Sequence, residues 1–358
     1  MSVNKLVSVL CFLIGLSCNA FATGMQKDIE SEIKKQVEHL LQDNRFTSVS
    51  IGVVSDGKSI TGHYGELTKK GGNKPTDQTI YEIGSVSKTM LGLLTAYAIA
   101  DGKLSLNKNI NDYIDNQLDK VSTTSQPITI QQLLTHTSGL PRDLEQLGLA
   151  EETVSKQSFI KAINKFDASA LKGQFHYSGV GAELLSYILT QVYDKPFDTL
   201  LKQTLKERAG MLNTQVNLSK TQIPVLAYGY DDKNEVAKSY VAPNRLWGGG
   251  GFVKSTMPDL INYMKLQLEV ESPVIALSHK RLFDVNDTEY LAFYWIVAND
   301  EKLGTYLIHH GGMKGTQNWM ILFPAYDLAI SVVSNSSFPE AQGLLREIGL
   351  NIATSLIN

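Results

Sequence analysis

Apolar residues recur along the chain at two spacings, one helical and one extended. Residues 26–42 follow the helical spacing, which predicts an amphipathic helix. The apolar positions on one side of this helix are Ile29, Ile33, Val37, Leu40 and Leu41. Residues 49–54 and 59–64 alternate instead, and Asp56-Gly57 lies between them. Two alternating runs joined by Asp-Gly predict a β-hairpin.

The middle of the chain is predicted to be mainly helical. The predicted helices are one from about Ser85 to Asp101-Gly102, a short one from an N-cap at Thr129 to Ser138-Gly139, and one from Pro258 to Leu268. Residues 152–204 are predicted to be mostly helical, with breaks around Lys172-Gly173 and Lys195-Pro196. Residues 247–251, a tryptophan followed by four glycines, do not suit the interior of a helix or strand. They predict a place where the backbone closely approaches another group.

The last third of the chain returns to extended patterns. The predicted strands are 293–297, 305–309, 318–323 and 328–333, and a final amphipathic helix follows over 339–356. Strands at both ends with helices between them predict an α+β fold, an α/β sandwich. Its antiparallel sheet would be built from both chain termini and flanked by helices, with a mainly helical sub-domain inserted.

This pattern also predicts the domain organisation. We expect one catalytic domain over residues 23–358, with a sheet sub-domain at about 26–80 and 285–358 and a helical sub-domain at about 85–284. A chain of 358 residues is long enough to bury a sizeable core in this way.

The first 22 residues differ from the rest. One charge, Lys5, precedes a short apolar run over 6–16, and Ala20-Phe21-Ala22 offers small residues for cleavage. This predicts a secretory signal peptide, export across the inner membrane and a periplasmic location. A lipoprotein processed at Cys18 is the alternative, and it would allow peripheral membrane association.

Cysteine content and charge exclude several function classes. Both cysteines, Cys11 and Cys18, lie in the predicted signal peptide, so the mature chain would have no disulfide or thiol nucleophile. The net charge is −3, and no basic stripe with interleaved aromatic residues predicts nucleic-acid binding. The sequence carries no signal that sets an oligomeric state.

Ser85 and Lys88 form the first candidate catalytic pair. Gly84 precedes them and an apolar helical pattern follows, so a hydroxyl and an amine three residues apart would share one face near the start of a helix. The positive end of the helix and partial burial disfavour the ammonium form of Lys88. A neutral amine beside a hydroxyl gives an activated nucleophile. The alternative is an N-cap serine followed by a solvated lysine.

Tyr177 is the second candidate, at the start of a helix-like run over 180–192. Its phenol could exchange a proton beside a nearby ammonium group. A tyrosine packed only by its ring is the alternative.

The third candidate is His309-His310-Gly311-Gly312, at the end of an apolar strand. Alternation along a strand places His309 and Gly311 on one face and His310 on the other. Glycine there lets a substrate lie against the backbone, and the next peptide N–H could contribute to an oxyanion hole. Neighbouring histidines on opposite faces make a poor metal site, so no metal and no cofactor is expected.

Together these segments resemble the serine β-lactamase and penicillin-binding protein superfamily, in the branch of class C β-lactamases, D-alanyl-D-alanine carboxypeptidases and related esterases. Ser85-Val86-Ser87-Lys88 matches its nucleophile motif. The segment Leu133-Leu134-Thr135-His136-Thr137-Ser138-Gly139-Leu140 is similar to a hallmark of that branch. Tyr177-Ser178-Gly179 falls where the family has Tyr-x-Asn, and His309-His310-Gly311 where it has Lys-Thr-Gly or His-x-Gly.

The resemblance implies a role for each residue. Ser85 would be acylated, and Lys88 and Tyr177 would move the proton, with either as the base. The N–H groups of Ser85 and Gly312 would stabilise the oxyanion, and His309 would help to hold a substrate carboxylate. At neutral pH His309 could be uncharged, in which case a neighbour such as Lys314 would assist.

Two departures from the family pattern leave the substrate open. Gly179 replaces an asparagine that helps to hold the acyl-side amide, which weakens the case for efficient β-lactam turnover and leaves room for esters. His309 replaces the lysine usual in class C β-lactamases and is typical of the carboxypeptidase side. We therefore expect an exported hydrolase acting on a small molecule or a peptidoglycan peptide, with D-alanyl peptides as the first choice of substrate. A class C-like β-lactamase, a carboxylesterase and a non-catalytic binding protein are the alternatives.

Overall fold

The computed structural model describes residues 27, 29–69, 71–123, 125–237 and 246–357. The predicted signal peptide, the lipoprotein alternative at Cys18 and both cysteines lie outside these residues. Within them, no helix combines the length and apolar character needed to cross a bilayer.

An antiparallel sheet of eight strands contains segments from both ends of the chain. The strands are β1 (Ser48–Ser55), β2 (Lys58–Gly65), β5 (Phe283–Asp284), β6 (Glu289–Leu291), β7 (Ile296–Asp300), β8 (Gly304–Met313), β9 (Thr316–Phe323) and β10 (Leu328–Ser334). Their order across the sheet is β2-β1-β10-β9-β8-β7-β6-β5. Two short strands, β3 (Ile80–Glu82) and β4 (Lys254–Thr256), pair separately. The predicted fold class is confirmed.

Helices cover both faces of the large sheet. They are α1 (residues 29–40), α2 (Ser87–Ala100), α3 (Ile130–Leu134), α4 (Lys156–Ile163), α5 (Gly179–Tyr193), α6 (Phe197–Ala209), α7 (Met257–Leu268), α8 (Pro273–Ser278) and α9 (Ala341–Ile357). Apolar residues of α1 and α9 share one buried cluster with one face of the sheet. Those of α2 to α8 share another cluster with the opposite face.

The β1–β2 hairpin forms as the sequence predicts. Ser55 pairs with Lys58, so the turn contains two residues. Asp56 and Gly57 both have positive φ, at 49° and 70°. This left-handed pair gives the connection the twist that a tight hairpin requires.

Two predicted boundaries are wrong for a shared reason. The helix capped by Thr129 ends at Leu134 rather than at residues 138–139, and the strand predicted over 293–297 is Ile296–Asp300. His136 has a φ of 56° and Tyr294 a φ of 66°. A left-handed residue interrupts a regular element, and apolar patterning carries no signal for it when the residue is not glycine.

The stretch over 152–204 is mostly helical, and its two internal breaks include the predicted positions 172–173 and 195–196. Helix α4 ends at Ile163 and α5 begins only at Gly179, so residues 164–178 form a connecting segment. Ser178 caps α5 by accepting the N–H of Gly181 at 2.8 Å. This cap places Tyr177 immediately before the first turn of α5.

Candidate active site

Ser85 lies in a short 3₁₀ turn over Gly84–Val86, and α2 begins two residues later at Ser87. Its hydroxyl oxygen accepts hydrogen bonds from two side chains. Lys88 Nζ donates to Ser85 Oγ at 3.1 Å, and the Tyr177 hydroxyl donates to the same oxygen at 2.6 Å. The structure therefore brings the first two candidate motifs into direct contact.

Lys88 is buried, with a relative exposure of 1%. Besides Ser85, its Nζ donates to the carbonyl oxygen of Gly250 in the glycine-rich segment. The same nitrogen lies 4.9 Å from the centre of the Tyr177 ring. An amine held by three neighbours has little freedom to turn away from Ser85 Oγ.

Glu183 organises the glycine-rich segment, and the sequence did not reveal this role. Its carboxylate, on α5, accepts the N–H of Trp247 at 3.0 Å, of Gly248 at 2.9 Å and of Gly250 at 2.8 Å. Burial raises the pKa of the Glu183 carboxyl, and these N–H donors oppose that rise. One buried carboxylate thus fixes the loop whose Gly250 carbonyl receives Lys88.

The glycine-rich segment does approach its neighbours closely, as its sequence predicts. A Cβ on Gly249 would lie 2.2 Å from Ser186 Oγ, and one on Gly250 would lie 2.8 Å from Glu183 Oε1. Side chains at these positions would therefore separate the loop from α5 and move the Gly250 carbonyl.

The backbone of strand β8 lies so close to the backbone at Ile83 and Gly84, just before Ser85, that a side chain would not fit at Gly84 or Gly311. A Cβ on Gly84 would lie 2.8 Å from the Gly312 nitrogen, and one on Gly311 would lie 2.1 Å from the Ile83 carbonyl oxygen. The Asn318 amide bridges the two segments, donating at 3.0 Å to the carbonyls of both Ile83 and Gly311. The N–H groups of Ser85 and Gly312 are consequently carried on touching segments.

His309 and His310 face opposite sides of β8, as alternation predicts. His309 is buried on the side that faces Lys88, where burial and the nearby Lys88 charge lower its pKa to about 3. Its Nδ1 donates to the His310 carbonyl at 2.7 Å, since a carbonyl oxygen can only accept. His310 packs against Trp319 and lies on the other face. A ring that is neutral near pH 7 offers no positive charge to a carboxylate.

His136 lies behind Tyr177, another position whose role the motif did not reveal. The two ring centres are 4.4 Å apart, and His136 Nδ1 accepts the Ser178 N–H at 3.0 Å. Burial, and then the Lys88 charge, hold its pKa well below the usual range. The neutral His136 ring supports the Tyr177 ring from the side and the backbone of the next residue.

A cleft of about 720 Å³ adjoins this arrangement. Gly179 and Gly250 form the part nearest to the motifs, and Arg142 and Lys314 supply positive charge. The Arg142 guanidinium lies 5.6 Å from the Tyr177 ring centre. The apolar lining residues are Leu144, Leu149, Ala150, Val180, Leu246 and Phe252. The lining also carries the carboxylates of Asp143, Glu145 and Glu151, so charges of both signs surround its apolar part.

Comparison with known proteins gives consistent matches. A family model described as Beta-lactamase matches residues 33–352. The sequence is 28% identical over 271 residues to a β-lactamase from Pseudomonas fluorescens, which covers 72% of each chain. A β-lactamase/D-alanine carboxypeptidase from Pseudomonas syringae superposes with a TM-score of 0.79 at 20% identity, over 90% of this chain and 99% of that one. For a class C β-lactamase from Rhodobacter sphaeroides the TM-score is 0.78 at 18% identity, over 91% and 99%.

Proposed function

The chain belongs to the beta-lactamase family of serine hydrolases, and from this premise we propose that it is an exported enzyme that forms an acyl-enzyme at Ser85. Its proposed substrates are D-alanyl peptides of the cell wall, and penicillins would acylate the same serine. The observation that carries this proposal is the pair of hydrogen bonds that Lys88 and Tyr177 make to Ser85 Oγ.

The proposed chemistry follows from these contacts. Ser85 Oγ attacks the substrate carbonyl carbon, and its proton passes to the Lys88–Tyr177 pair. The N–H groups of Ser85 and Gly312 receive the negative charge that develops on the carbonyl oxygen. Lys88 and Tyr177 then return the proton to the departing amine. In the second half of the reaction, water attacks the ester at Ser85 and releases the acid.

The carboxylate of a D-alanyl peptide needs a positive partner, and we assign this role to Lys314 and Arg142 rather than to His309. Both cations line the cleft, together with the carboxylates of Asp143, Glu145 and Glu151, whereas His309 is neutral near pH 7 because of its burial. The likeness to a β-lactamase/D-alanine carboxypeptidase supports this choice of substrate.

Labelling with a fluorescent penicillin tests the acyl-enzyme. We expect covalent label on the wild-type protein and none on Ser85→Ala. Ser59→Ala, which changes an exposed serine of β2, is the matched control and should label normally. An unlabelled wild type, or a labelled Ser85→Ala protein, would contradict the proposal. Rapid nitrocefin hydrolysis without persistent label would instead indicate a β-lactamase.

A carboxylesterase is the second candidate, favoured by the cleft. Gly179 lacks the amide side chain of the family motif, and most of the surrounding lining is apolar. Such a surface suits an acyl chain better than a peptide amide. Nitrophenyl esters assayed beside a D-alanyl-D-alanine peptide would separate the two: an esterase hydrolyses only the esters, whereas the proposed peptidase also releases D-alanine.

A further inference from the structure

A second cavity, of about 480 Å³, lies beside helix α4. We call it the α4 cavity. Four of its ten lining residues are lysines: Lys120, Lys156, Lys161 and Lys165. None of these ten residues carries a carboxylate. Asp119 lies at the edge, where its carboxylate accepts the Asn164 amide at 3.1 Å. The α4 cavity therefore concentrates positive charge in a chain whose net charge is −3.

The cavity wall is one face of an amphipathic helix and the residues that follow it. Phe159 and Ile163 are fully buried on the core side of α4. The face toward the cavity carries Lys161 and, beyond the end of the helix, Lys165. Both ammonium groups line the same cavity, and like charges repel each other. A bound anion would relieve this repulsion.

The remaining lining adds aromatic and amide groups. Trp247 and Tyr187 pack with their ring centres 4.9 Å apart, and the Lys156 ammonium lies 5.4 Å from the Trp247 ring. The side-chain amides of the lining come from Gln117, Gln157 and Asn164. Ammonium groups suit anions, amides suit hydroxyl groups, and the electron-rich faces of aromatic rings suit the C–H groups of a sugar ring. We propose that the α4 cavity binds an anionic saccharide.

The α4 cavity is connected to the Ser85 cleft through the glycine-rich segment. Trp247, in the cavity wall, donates its N–H to the same Glu183 carboxylate that holds Gly250, and the Gly250 carbonyl receives Lys88. A saccharide in the α4 cavity would thus contact the loop that positions the lysine. This binding goes beyond the proposed function, and it does not require turnover.

Fluorescence and calorimetric titrations of the full chain test the proposal. The probes are trigalacturonate as a carboxylated sugar and glucose 6-phosphate as a phosphorylated one. The Ser85→Ala variant is titrated beside the wild type, so that failure of the catalytic proposal does not affect the result. We expect at least one probe to bind, and salt to weaken the binding because the charges involved are exposed. If neither probe binds, the proposal is wrong.

Paired charge reversals locate the site. We expect K161E/K165E to lower the affinity for the probe that binds by about tenfold or more, because two attractive charges become repulsive. The control K202E/K206E reverses two exposed lysines with the same spacing on α6 and should leave affinity unchanged. Equal losses in both variants would show a general charge effect and overturn the proposal.

Further probes separate an anionic saccharide from other ligands. Neutral maltotriose should not bind, and triglutamate and phosphatidylglycerol vesicles should bind more weakly than the acidic sugar. Tighter binding by the peptide or the vesicles would reassign the surface and overturn the proposal. Trp247→Phe should abolish the fluorescence change and weaken the binding that calorimetry records. A fluorescence change that persists would place the ligand elsewhere.

Discussion

The two faces of the eight-stranded sheet are built from different kinds of residue. Toward α1 and α9, a row of aliphatic side chains runs across four strands: Val53, Ile330, Ile321 and Ile308. On the opposite face, the adjacent row contains Gly52, Ser331, Met320 and His309. The first row is uniform and apolar, whereas the second combines small, polar and titratable groups.

This difference separates stability from chemistry. The aliphatic face gains free energy by removing apolar surface from water. The opposite face leads to a region where Lys88, Glu183, His136 and His309 are buried together. Buried polar groups cost free energy unless they are hydrogen-bonded. These four side chains can stay buried because neighbouring backbone groups form many of the hydrogen bonds that they need. The same hydrogen bonds fix the positions of the side chains.

The largest expected effect is the loss of acylation in Lys88→Met. Removing the amine takes away a proton-transfer group, which typically costs roughly 10³-fold in rate. The rate of labelling by fluorescent penicillin measures this loss. Lys254→Met is the matched control, since Lys254 is also buried but donates to the Val216 carbonyl at 3.0 Å. If both variants lost activity equally, buried lysines in general rather than the Ser85 contact would matter.

Ile321→Ala, on the aliphatic face of the sheet, should lower stability without changing the rate of acylation. Ile321 is fully buried, and its δ1 methyl approaches Gly349 of α9. The truncation leaves a cavity and should lower the free energy of unfolding by roughly 2–5 kcal/mol, as large-to-small core changes do. Urea unfolding measures this loss, and the labelling rate of the folded protein should not change. A slower labelling rate would show that the two faces are coupled.

Glu183→Gln should affect stability and catalysis together. The amide NH₂ would meet a backbone N–H donor of the glycine-rich segment, where the carboxylate now accepts three such bonds. Leaving one buried donor unsatisfied costs about 1–3 kcal/mol. We expect a lower melting temperature and slower labelling, because the Gly250 carbonyl moves away from Lys88. Unchanged labelling would mean that the loop does not position the lysine.

The smallest effect concerns acid stability and compares two adjacent histidines. The pKa of His309 is about 3 in the folded protein, whereas an unfolded histidine has a pKa of about 6.5. The unfolded state therefore binds more protons between these values, and stability falls as the pH drops from about 6.5 toward 3. Between pH 6 and pH 5 this group alone should cost about 1 kcal/mol.

Urea unfolding at both pH values, in His309→Asn and in His310→Asn, checks this prediction. Burial also lowers the pKa of His310, but its hydrogen bond to Gln317 opposes the change. Removing His309 should therefore flatten the pH dependence more than removing His310. A larger effect for His310 would contradict the assignment of the lower pKa to His309.

Patterning and motifs in the sequence determined much of this protein. The alternation of apolar and polar residues predicted strands β8 to β10. It also predicted that His309 and His310 point in opposite directions, since successive side chains of a strand lie on opposite faces. The spacing of Ser85 and Lys88 placed their side chains on one face of the turn and helix. The glycines at 248–251 indicated a close backbone approach, because residues without a Cβ leave room for a neighbouring group and can be recognised from the sequence.

Only the tertiary structure decided what those elements meet. No local pattern predicts that Glu183 holds the glycine-rich segment or that Asn318 bridges Ile83 and β8. Nor does one predict the left-handed backbone of His136 and Tyr294. Each depends on contacts between segments distant in the chain. Local spacing sets which way a side chain points, but the pKa of His309 and the partners of Lys88 depend on the groups that packing brings around them.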